Sequence, residues 1–119
     1  MKYGHILVNQ ERNEKITGSS PRLLMINQNS YPVKTWREVM EITIMSIYED
    51  NPIKYEVVMD KNRGFLATKE NEMRKPKKMA NEQYMESNLN AQTIYNFCMK
   101  AFNDSGYYKE DWQVEVEYK

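Results

Sequence analysis

Cysteine and histidine, which supply thiolate nucleophiles, imidazole bases and zinc ligands, are almost absent from the sequence. Among its 119 residues there is one cysteine, Cys98, and one histidine, His5. A single cysteine excludes an intramolecular disulfide and a thiolate cluster for zinc. Cys98 falls on an apolar helical stripe, which favours a small buried hydrophobe over a reactive thiol. His5 falls in a short predicted strand, where a structural histidine is more common than a general base.

Glycine and net charge are also scarce. Four glycines without a glycine-rich motif disfavour a loop that binds phosphate through its backbone. Lysine and arginine total 17, as do aspartate and glutamate, so the formal net charge is zero. A nucleic-acid-binding protein usually has a basic face or a high isoelectric point. No acid–base pair and no metal-ligand spacing stands out, so we expect no catalytic residue, no metal site and no cofactor.

Long apolar runs are missing as well. No stretch approaches the roughly 20 apolar residues of a membrane span, and the N-terminus lacks the pattern of a signal peptide. We therefore expect a cytosolic protein. The chain is rich in asparagine, lysine, isoleucine, tyrosine and glutamate, which suggests an A+T-rich coding source such as a low-GC bacterium or its phage. The expected location is the cytoplasm of a bacterial host cell.

The pattern of apolar residues predicts an α+β fold in a single domain over residues 1–119. Residues 112–118 alternate between apolar and polar side chains, as in a strand with one buried face. Residues 27–29 form a predicted turn, and Pro32 places the strand after it at a sheet edge. The predicted strands are Tyr3–Val8, Leu23–Ile26, Ser30–Val33, Phe65–Thr68, Gln83–Ser87 and Trp112–Tyr118, with loops at 18–21 and 69–80. We expect an antiparallel or mixed sheet of five to six short strands, with two main helices and one short helix packed mostly on one face.

Caps and apolar stripes predict the helices. Thr35 and Glu38 have the spacing of a capping box, which starts the first helix. Asn51 can cap a short second helix in which Pro52 takes the first position and which continues to about Met59. The residues of this second helix that we expect to face inward are Ile53, Val57 and Met59.

A basic run, Arg-Lys-Pro-Lys-Lys, occupies residues 74–78. It is either a solvated loop that aids solubility or a clamp for phosphate or for an acidic partner. As a clamp, the forked guanidinium group of Arg74 would bind two oxygens, and Lys75, Lys77 and Lys78 would act as point charges. Pro76 would stiffen the loop and reduce the entropy lost on binding.

A polar set leads from the Gln83–Ser87 strand into the third helix. Tyr84, Glu86 and Asn88 alternate along the chain and so share one strand face. Asn90 and Thr93 lie on the first helical turn, where Asn88 or Asn90 can act as the cap. The set is either capping and surface polarity or a hydrogen-bonding pocket, with the carboxylate for a ribose hydroxyl or base amine and the amides for a base edge. The apolar stripe of this helix is Ala91, Ile94, Tyr95, Cys98 and Phe102, with Gly106 placed for a left-handed cap at its end.

Aromatic residues and methionine suggest a different binding surface. The chain has nine tyrosines, two tryptophans, three phenylalanines and nine methionines. Most aromatics belong in the core, but Tyr31, Tyr107 and Tyr108 are candidates for exposed contact surface, because tyrosine offers a large area at low entropic cost. Methionine suits an adaptable interface, although filling gaps in the core is its commoner use.

Two segments together resemble a known prokaryotic domain. Residues 31–39, Tyr-Pro-Val-Lys-Thr-Trp-Arg-Glu-Val, resemble a Y-x-V-x-S-W-K-E-L-L helix start. Residues 74–78 and 84–94 resemble an R-x-P-x-x…Y-x-E-T-N-L-S-A-N-S-I segment, except that Asn90 and Thr93 stand where that pattern has serines. The domain is found at the C-termini of restriction-type and other defence-associated proteins, and alone in phage-like contexts. The resemblance covers roughly residues 22–117 and implies a binding accessory rather than an enzyme. It favours as site residues Arg74, Tyr84, Glu86, Asn88 and Thr93.

The basic run, the polar set and the resemblance predict a non-enzymatic binding protein of phage or mobile-element origin that acts in phage–bacteria conflict. Its most concrete form sequesters a nucleotide-type immune signalling molecule. The expected ligand-binding residues are Arg74, Lys75, Lys77, Lys78, Tyr84, Glu86, Asn88, Asn90 and Thr93. One alternative is an inhibitor or adaptor that docks on a bacterial defence protein through tyrosine and methionine surface. Another is a nucleic-acid accessory domain, which the neutral charge disfavours. The protein is also a candidate homo-oligomer, because so small a domain encloses a pocket more easily between subunits than within one.

Overall fold

The described part of the chain forms two antiparallel sheets and three α-helices. The structure, a computed structural model, describes residues 4–8, 16, 18–67 and 74–118, with the backbone alone at 4–8 and 109. Within these ranges the helices are α1 (Trp36–Asp50), α2 (Pro52–Lys61) and α3 (Ala91–Asp104). The strands are β1 (Gly4–Val8), β2 (Ser19–Ile26), β3 (Asn29–Pro32), β4 (Leu66–Ala67), β5 (Pro76–Lys78), β6 (Tyr84–Glu86) and β7 (Trp112–Tyr118). The predicted α+β class is confirmed.

The strands divide into a larger and a smaller sheet. The larger has the order β1-β7-β2-β3, and the smaller has the order β4-β6-β5. The sequence predicted an antiparallel or mixed sheet of five to six strands without separating the two, because an apolar pattern identifies the buried face of a strand but not its partner. Strand β7 has the predicted alternation, with Trp112, Val114 and Val116 fully buried. Strand β3, which contains Pro32, lies at the predicted sheet edge.

Two segments predicted as loops are strands. Strand β2 begins at Ser19 rather than Leu23, because β7 is long enough to pair with it along its whole length. The register shifts between Pro21 and Leu23, and such a bulge accommodates a proline that cannot donate a backbone hydrogen bond. Strand β5 lies inside the predicted loop at 69–80 and pairs with β6. Tyr3, Thr68 and the loop residues 69–73 lie outside the described residues.

The predicted helix caps are confirmed. The backbone N–H of Glu38 donates to the Thr35 hydroxyl at 3.2 Å, and the Glu38 carboxylate accepts from the N–H of Thr35 at 3.1 Å. Asn51 caps α2 by accepting from the N–H of Ile53 at 2.9 Å. Asn90 caps α3, and Gly106 has a φ of +85°, the left-handed conformation that glycine adopts without steric cost.

The inward face of α2 was predicted wrongly at two of three positions. Met59 is buried, but Ile53 is 71% exposed and Val57 is 40% exposed. The buried residues are Tyr55, Val58 and Met59. The Tyr55 ring packs edge-on against Tyr48 of α1, and its hydroxyl donates to the side chain of Gln83 at 2.7 Å. Ile53 and Val57, one turn apart, consequently lie on the outer side.

A buried hydrogen bond links α1 to the larger sheet. The indole Nε1–H of Trp112 donates to the Thr43 hydroxyl at 2.9 Å, and that hydroxyl donates to the Val39 carbonyl at 2.8 Å. Trp112 and Thr43 are both fully buried. Water therefore cannot replace either partner, and the loss of one leaves the other unsatisfied.

Replacing Thr43 tests this link. Thr43→Val keeps the shape of the side chain but leaves the indole N–H without an acceptor, so we expect a fall of about 1–3 kcal/mol in the free energy of unfolding, measured by urea titration. Ser46→Ala, which removes a half-buried hydroxyl from the same helix, is the control and should change stability by less than about 0.5 kcal/mol. Equal effects of the two substitutions would contradict the proposed importance of the Trp112 bond.

Candidate functional site

The carboxylate of Glu86 organises the region in which the sequence placed a binding site. Its Oε1 accepts from the backbone N–H of Arg74 at 3.0 Å, and its Oε2 accepts from the N–H of Lys75 at 3.2 Å. Oε2 also accepts from the N–H of Asn88 at 3.0 Å. Glu86 is only 6% exposed. A buried carboxylate is stable when several N–H groups surround it, as they do here.

Ser87 and strand β6 also hold the basic segment, residues 74–78, through hydrogen bonds to its backbone. The N–H and the hydroxyl of Ser87 both donate to the Lys75 carbonyl, at 2.9 Å and 2.8 Å. Beyond this point β5 pairs with β6, with Lys77 opposite Met85 and Lys78 opposite Tyr84. The basic segment is therefore part of the smaller sheet and of a turn fixed to it.

The hydrogen bonds keep Glu86 charged. Burial acts to raise the pKa of this carboxyl group, but backbone donors from Asn88, Lys75 and Arg74, together with the charge of Arg74, outweigh it. The pKa of Glu86 consequently lies below its ordinary value of 4.5. At neutral pH the group is an anion whose hydrogen bonds go to the protein's own backbone, so it supports the site rather than offering a free carboxylate to a ligand.

The four cationic side chains of the basic segment differ in their surroundings. Those of Arg74, Lys75 and Lys78 are exposed. Lys77 lies 3.4 Å from the Glu41 carboxylate of α1, and Lys78 lies 2.7 Å from that of Glu82. Within the described ranges, neither Arg74 nor Lys75 forms a side-chain ion pair, and both side chains are exposed on a backbone that Glu86 holds in place.

The other predicted site residues lie on β6, in the segment that follows it, and at the start of α3. Tyr84 is half-buried, and as the cross-strand partner of Lys78 it shares one face of the smaller sheet with that lysine. Asn88 is exposed, immediately beyond its bond to Glu86. Asn90 accepts from the N–H of Thr93 at 2.8 Å, so this pair caps α3. The structure thus brings Arg74, Lys75 and Asn88 together around the Glu86 carboxylate. Lys78 and Tyr84 lie opposite each other on the adjoining smaller sheet.

A pocket missed by the sequence reasoning lies on the other side of Ser87. It has a volume of about 290 Å³ and is lined by Thr35, Trp36, Arg37, Ser87, Leu89, Ala91 and Ile94. Among the described residues that line it, Arg37 is the cationic one, at an exposed position in the first turn of α1. A cation in the first turn is unfavourable to the helix dipole. That local conflict was the signal in the sequence that could have singled out Arg37.

The predicted tyrosine and methionine surface is correct only in part. Every methionine in the described ranges is buried or half-buried, so none is an exposed residue, and Met25 and Met45 are the two that keep part of their surface accessible. Tyr107 stacks on Phe102 with ring centroids 4.8 Å apart and donates its hydroxyl to Asp50. Tyr108 is exposed and Tyr31 is half-buried. Cys98 is buried, which raises the pKa of its thiol to about 12, and the predicted role as a core residue is confirmed.

Comparisons with known proteins do not assign a function to this chain, so the argument for a function depends on the geometry of the site. The chain matched no protein-family model, no curated protein and no solved structure. Across the described ranges, the helices are too short or too polar to cross a membrane. The same ranges contain no group of three or more histidine, cysteine, aspartate or glutamate residues arranged to hold a metal ion.

Glu86→Gln tests the supporting role of the carboxylate. The amide has one acceptor oxygen and no charge, so we expect a fall of about 1–3 kcal/mol in the free energy of unfolding at neutral pH. Because the folded pKa is depressed, this stabilisation is present above the ordinary pKa of 4.5 and is lost as the pH falls through the folded pKa. Urea titrations at a series of pH values should therefore show the wild type and the variant converging in acid.

Glu82→Gln is the matched control. Its side chain is exposed and makes a surface ion pair with Lys78, so its loss should cost less than about 0.5 kcal/mol. A difference between the wild type and Glu86→Gln that stayed constant from neutral pH down to about pH 3 would show that the charge of Glu86 does not hold the turn.

Proposed function

We propose that the protein is a non-enzymatic binding protein that holds a nucleotide-type anion on its basic segment. The observation that carries the proposal is the set of three backbone N–H donors around the Glu86 carboxylate. These bonds fix the backbone at Arg74 and Lys75 while their cationic side chains remain exposed. Folding therefore orders the turn in advance, and less conformational entropy is lost when an anion binds.

Each neighbouring group has a role that suits its chemistry. Arg74 can bind two phosphate oxygens with its planar guanidinium group, and Lys75 adds a point charge. Lys78 adds a second charge if an anion displaces its exposed surface partner, Glu82. Tyr84, beside Lys78 on the sheet, offers part of its ring as a surface on which a base can stack. The exposed amide of Asn88 can both donate to and accept from a base or ribose. Glu86 supports this arrangement from beneath, in place of the direct contact predicted from the sequence.

The other predicted residues fit less directly. Lys77 is engaged by Glu41, and Asn90 and Thr93 are engaged in capping α3. We retain them as residues that position the basic segment and the start of the helix. Conservative changes at Asn90 should therefore affect stability as well as any affinity for a ligand.

The biological context of the proposal comes from the sequence. The resemblance of residues 31–39 and 74–94 to a defence-associated domain, and the A+T-rich composition, favour a phage or mobile-element protein that acts in the cytoplasm of a bacterial host cell. Binding alone is enough to remove a signalling molecule from solution. Sequestration of a nucleotide-type immune signal is consequently the form of the function that needs the fewest additional groups.

A second candidate function, docking on a bacterial defence protein, is favoured by one observation. Ile53 and Val57 project from the outer side of α2, one turn apart, and Tyr108 is also exposed. Exposed aliphatic and aromatic side chains of this kind supply the apolar anchors of protein interfaces. This surface replaces the methionine surface that the sequence suggested.

A thermal-shift screen against cyclic dinucleotides, ADP-ribose derivatives and simple nucleotides tests the first function. A ligand that binds only the folded state at about 100 times its Kd adds about 2.7 kcal/mol, which corresponds to a rise of several degrees in Tm. We expect Arg74→Ala and Asn88→Ala to reduce this rise. Arg63→Ala is the matched control, since Arg63 is an exposed arginine that pairs with Asp60, and it should leave the rise unchanged.

Two results would contradict the first function. The absence of a shift with every compound, in wild-type protein at low salt, would favour docking through Ile53 and Val57. A shift that Arg63→Ala and Arg74→Ala reduced equally would indicate nonspecific attraction to positive charge. Tight binding to DNA with a steep salt dependence would instead support the nucleic-acid accessory domain.

A further inference from the structure

A groove runs along the outer side of α1. Two pockets, of about 280 Å³ and 220 Å³, share Tyr31, Ser46 and Glu49 as lining residues and therefore lie side by side. One end is bounded by Ala80, in the turn after β5, and the other by Asn27 and Asn29 of the β2–β3 turn. We call this feature the α1 groove.

The α1 groove combines an apolar floor with acidic walls. Tyr31, Ile42 and Met45 are half-buried and line the larger of its two pockets. Glu41 lines the pocket that contains Ala80, Asp50 lines the pocket that contains Asn27 and Asn29, and Glu49 lines both. Eight residues of α-helix separate Glu41 from Glu49, so their Cα atoms are about 12 Å apart along the helix axis.

These carboxylates are only partly neutralised. Glu41 pairs with Lys77, and Asp50 accepts a hydrogen bond from the Tyr107 hydroxyl, which adds no charge. Glu49 is exposed and forms no ion pair within the described ranges. The groove thus keeps negative charge beside an apolar surface, a combination that is complementary to a cationic segment with some apolar surface.

The basic segment has the complementary properties and lies next to the α1 groove. The ion pair between Lys77 and Glu41 joins the two surfaces directly, and Ala80 lines the groove two residues after β5 ends. The exposed cations of the segment are Arg74, Lys75 and Lys78. Pro76 lies among them and is half-buried. A chain with zero net charge therefore carries a basic and an acidic surface side by side.

We propose that the α1 groove binds the basic segment of a second copy of this chain. Because the two surfaces are neighbours, a twofold rotation can set each basic segment on the groove of the other copy. Such a contact is made twice and closes on itself, so it gives a dimer rather than a filament. The cations meet Glu49 and Asp50, and Pro76 with the lysine methylenes covers Ile42 and Met45.

The dimer does not depend on the proposed function, but the two are linked. The same cations bind either the acidic groove of the second copy or an anion, so a bound nucleotide would shift the equilibrium towards monomer. The test of the dimer is therefore made without nucleotide. Of the two variants used, Lys78→Glu changes a residue assigned to the nucleotide site, whereas Glu49→Lys changes the groove alone. The effect of Glu49→Lys on the dimer therefore separates failure of this proposal from failure of the nucleotide site.

Sedimentation velocity of Glu49→Lys, Lys78→Glu and their mixture tests the pairing. We expect wild-type protein at low salt to form a dimer that dissociates as salt is added, because the contact is largely ionic. Each variant alone places like charges against each other in both contacts, so each should sediment as a monomer. An equimolar mixture restores one native contact and creates one with reversed charges, so it should recover the dimer.

Glu56→Lys is the matched control, since it makes the same charge change at an exposed position on α2 and should leave the dimer intact. Circular dichroism melts establish that every variant is folded. Wild-type protein that remains monomeric into the submillimolar range would overturn the proposal and leave the groove to a cationic segment of another protein. A dimer that survives Glu49→Lys or Lys78→Glu, or a mixture that stays monomeric, would overturn it equally.

Discussion

The hydrogen bonds of the Glu86 carboxylate are the interaction on which the candidate site depends. They connect the backbone at Arg74 and Lys75, which leads into β5, with the backbone at Asn88, which leads into α3. Two segments twelve or more residues apart in the chain are thereby fixed to one side chain. Burying a carboxylate costs free energy unless donors replace its water. Three N–H groups do so here, which is why the group remains ionised and why its removal should loosen both segments.

This arrangement also explains how a neutral protein can present a local cationic surface. The two consecutive residues whose N–H groups bind Glu86 are themselves cationic, and their side chains are exposed. The negative charge lies beneath them, almost completely buried. An approaching anion meets the guanidinium and ammonium groups first. The total charge of the chain, which argued against nucleic acid, therefore says little about a site of this size.

The sequence predicted most features that local chemistry determines. The caps at Thr35, Asn51 and Asn90 and the alternation of β7 required only short-range spacing, and all are found. The role of Glu86 could not be predicted in this way. Alternation placed it on a face with Tyr84, but nothing in the pattern shows that Arg74 and Lys75 fold over it. The pairing of β5 with β6, which brings these residues together, is a long-range contact between a proline-containing segment and a strand of three residues.

The outward position of Ile53 and Val57 has a related cause. The helical period correctly places these two residues on one side of α2. The other side carries the apolar residues Tyr55, Val58 and Met59, and this is the side that is buried. The choice between the two sides is made by tertiary packing rather than by the period. The pocket beside Arg37 was missed for the same reason, since it exists only where the starts of α1 and α3 come together.

Amide hydrogen exchange at Arg74 and Lys75, followed by NMR in the wild type and in Glu86→Gln, tests the central claim most directly. If the carboxylate holds the turn, both amides exchange slowly in the wild type and much faster in the variant, while amides in the middle of α1 change little. Exchange of the Arg74 and Lys75 amides at the rate of an unstructured peptide in the wild type would contradict the account. It would mean that the basic segment is not preorganised.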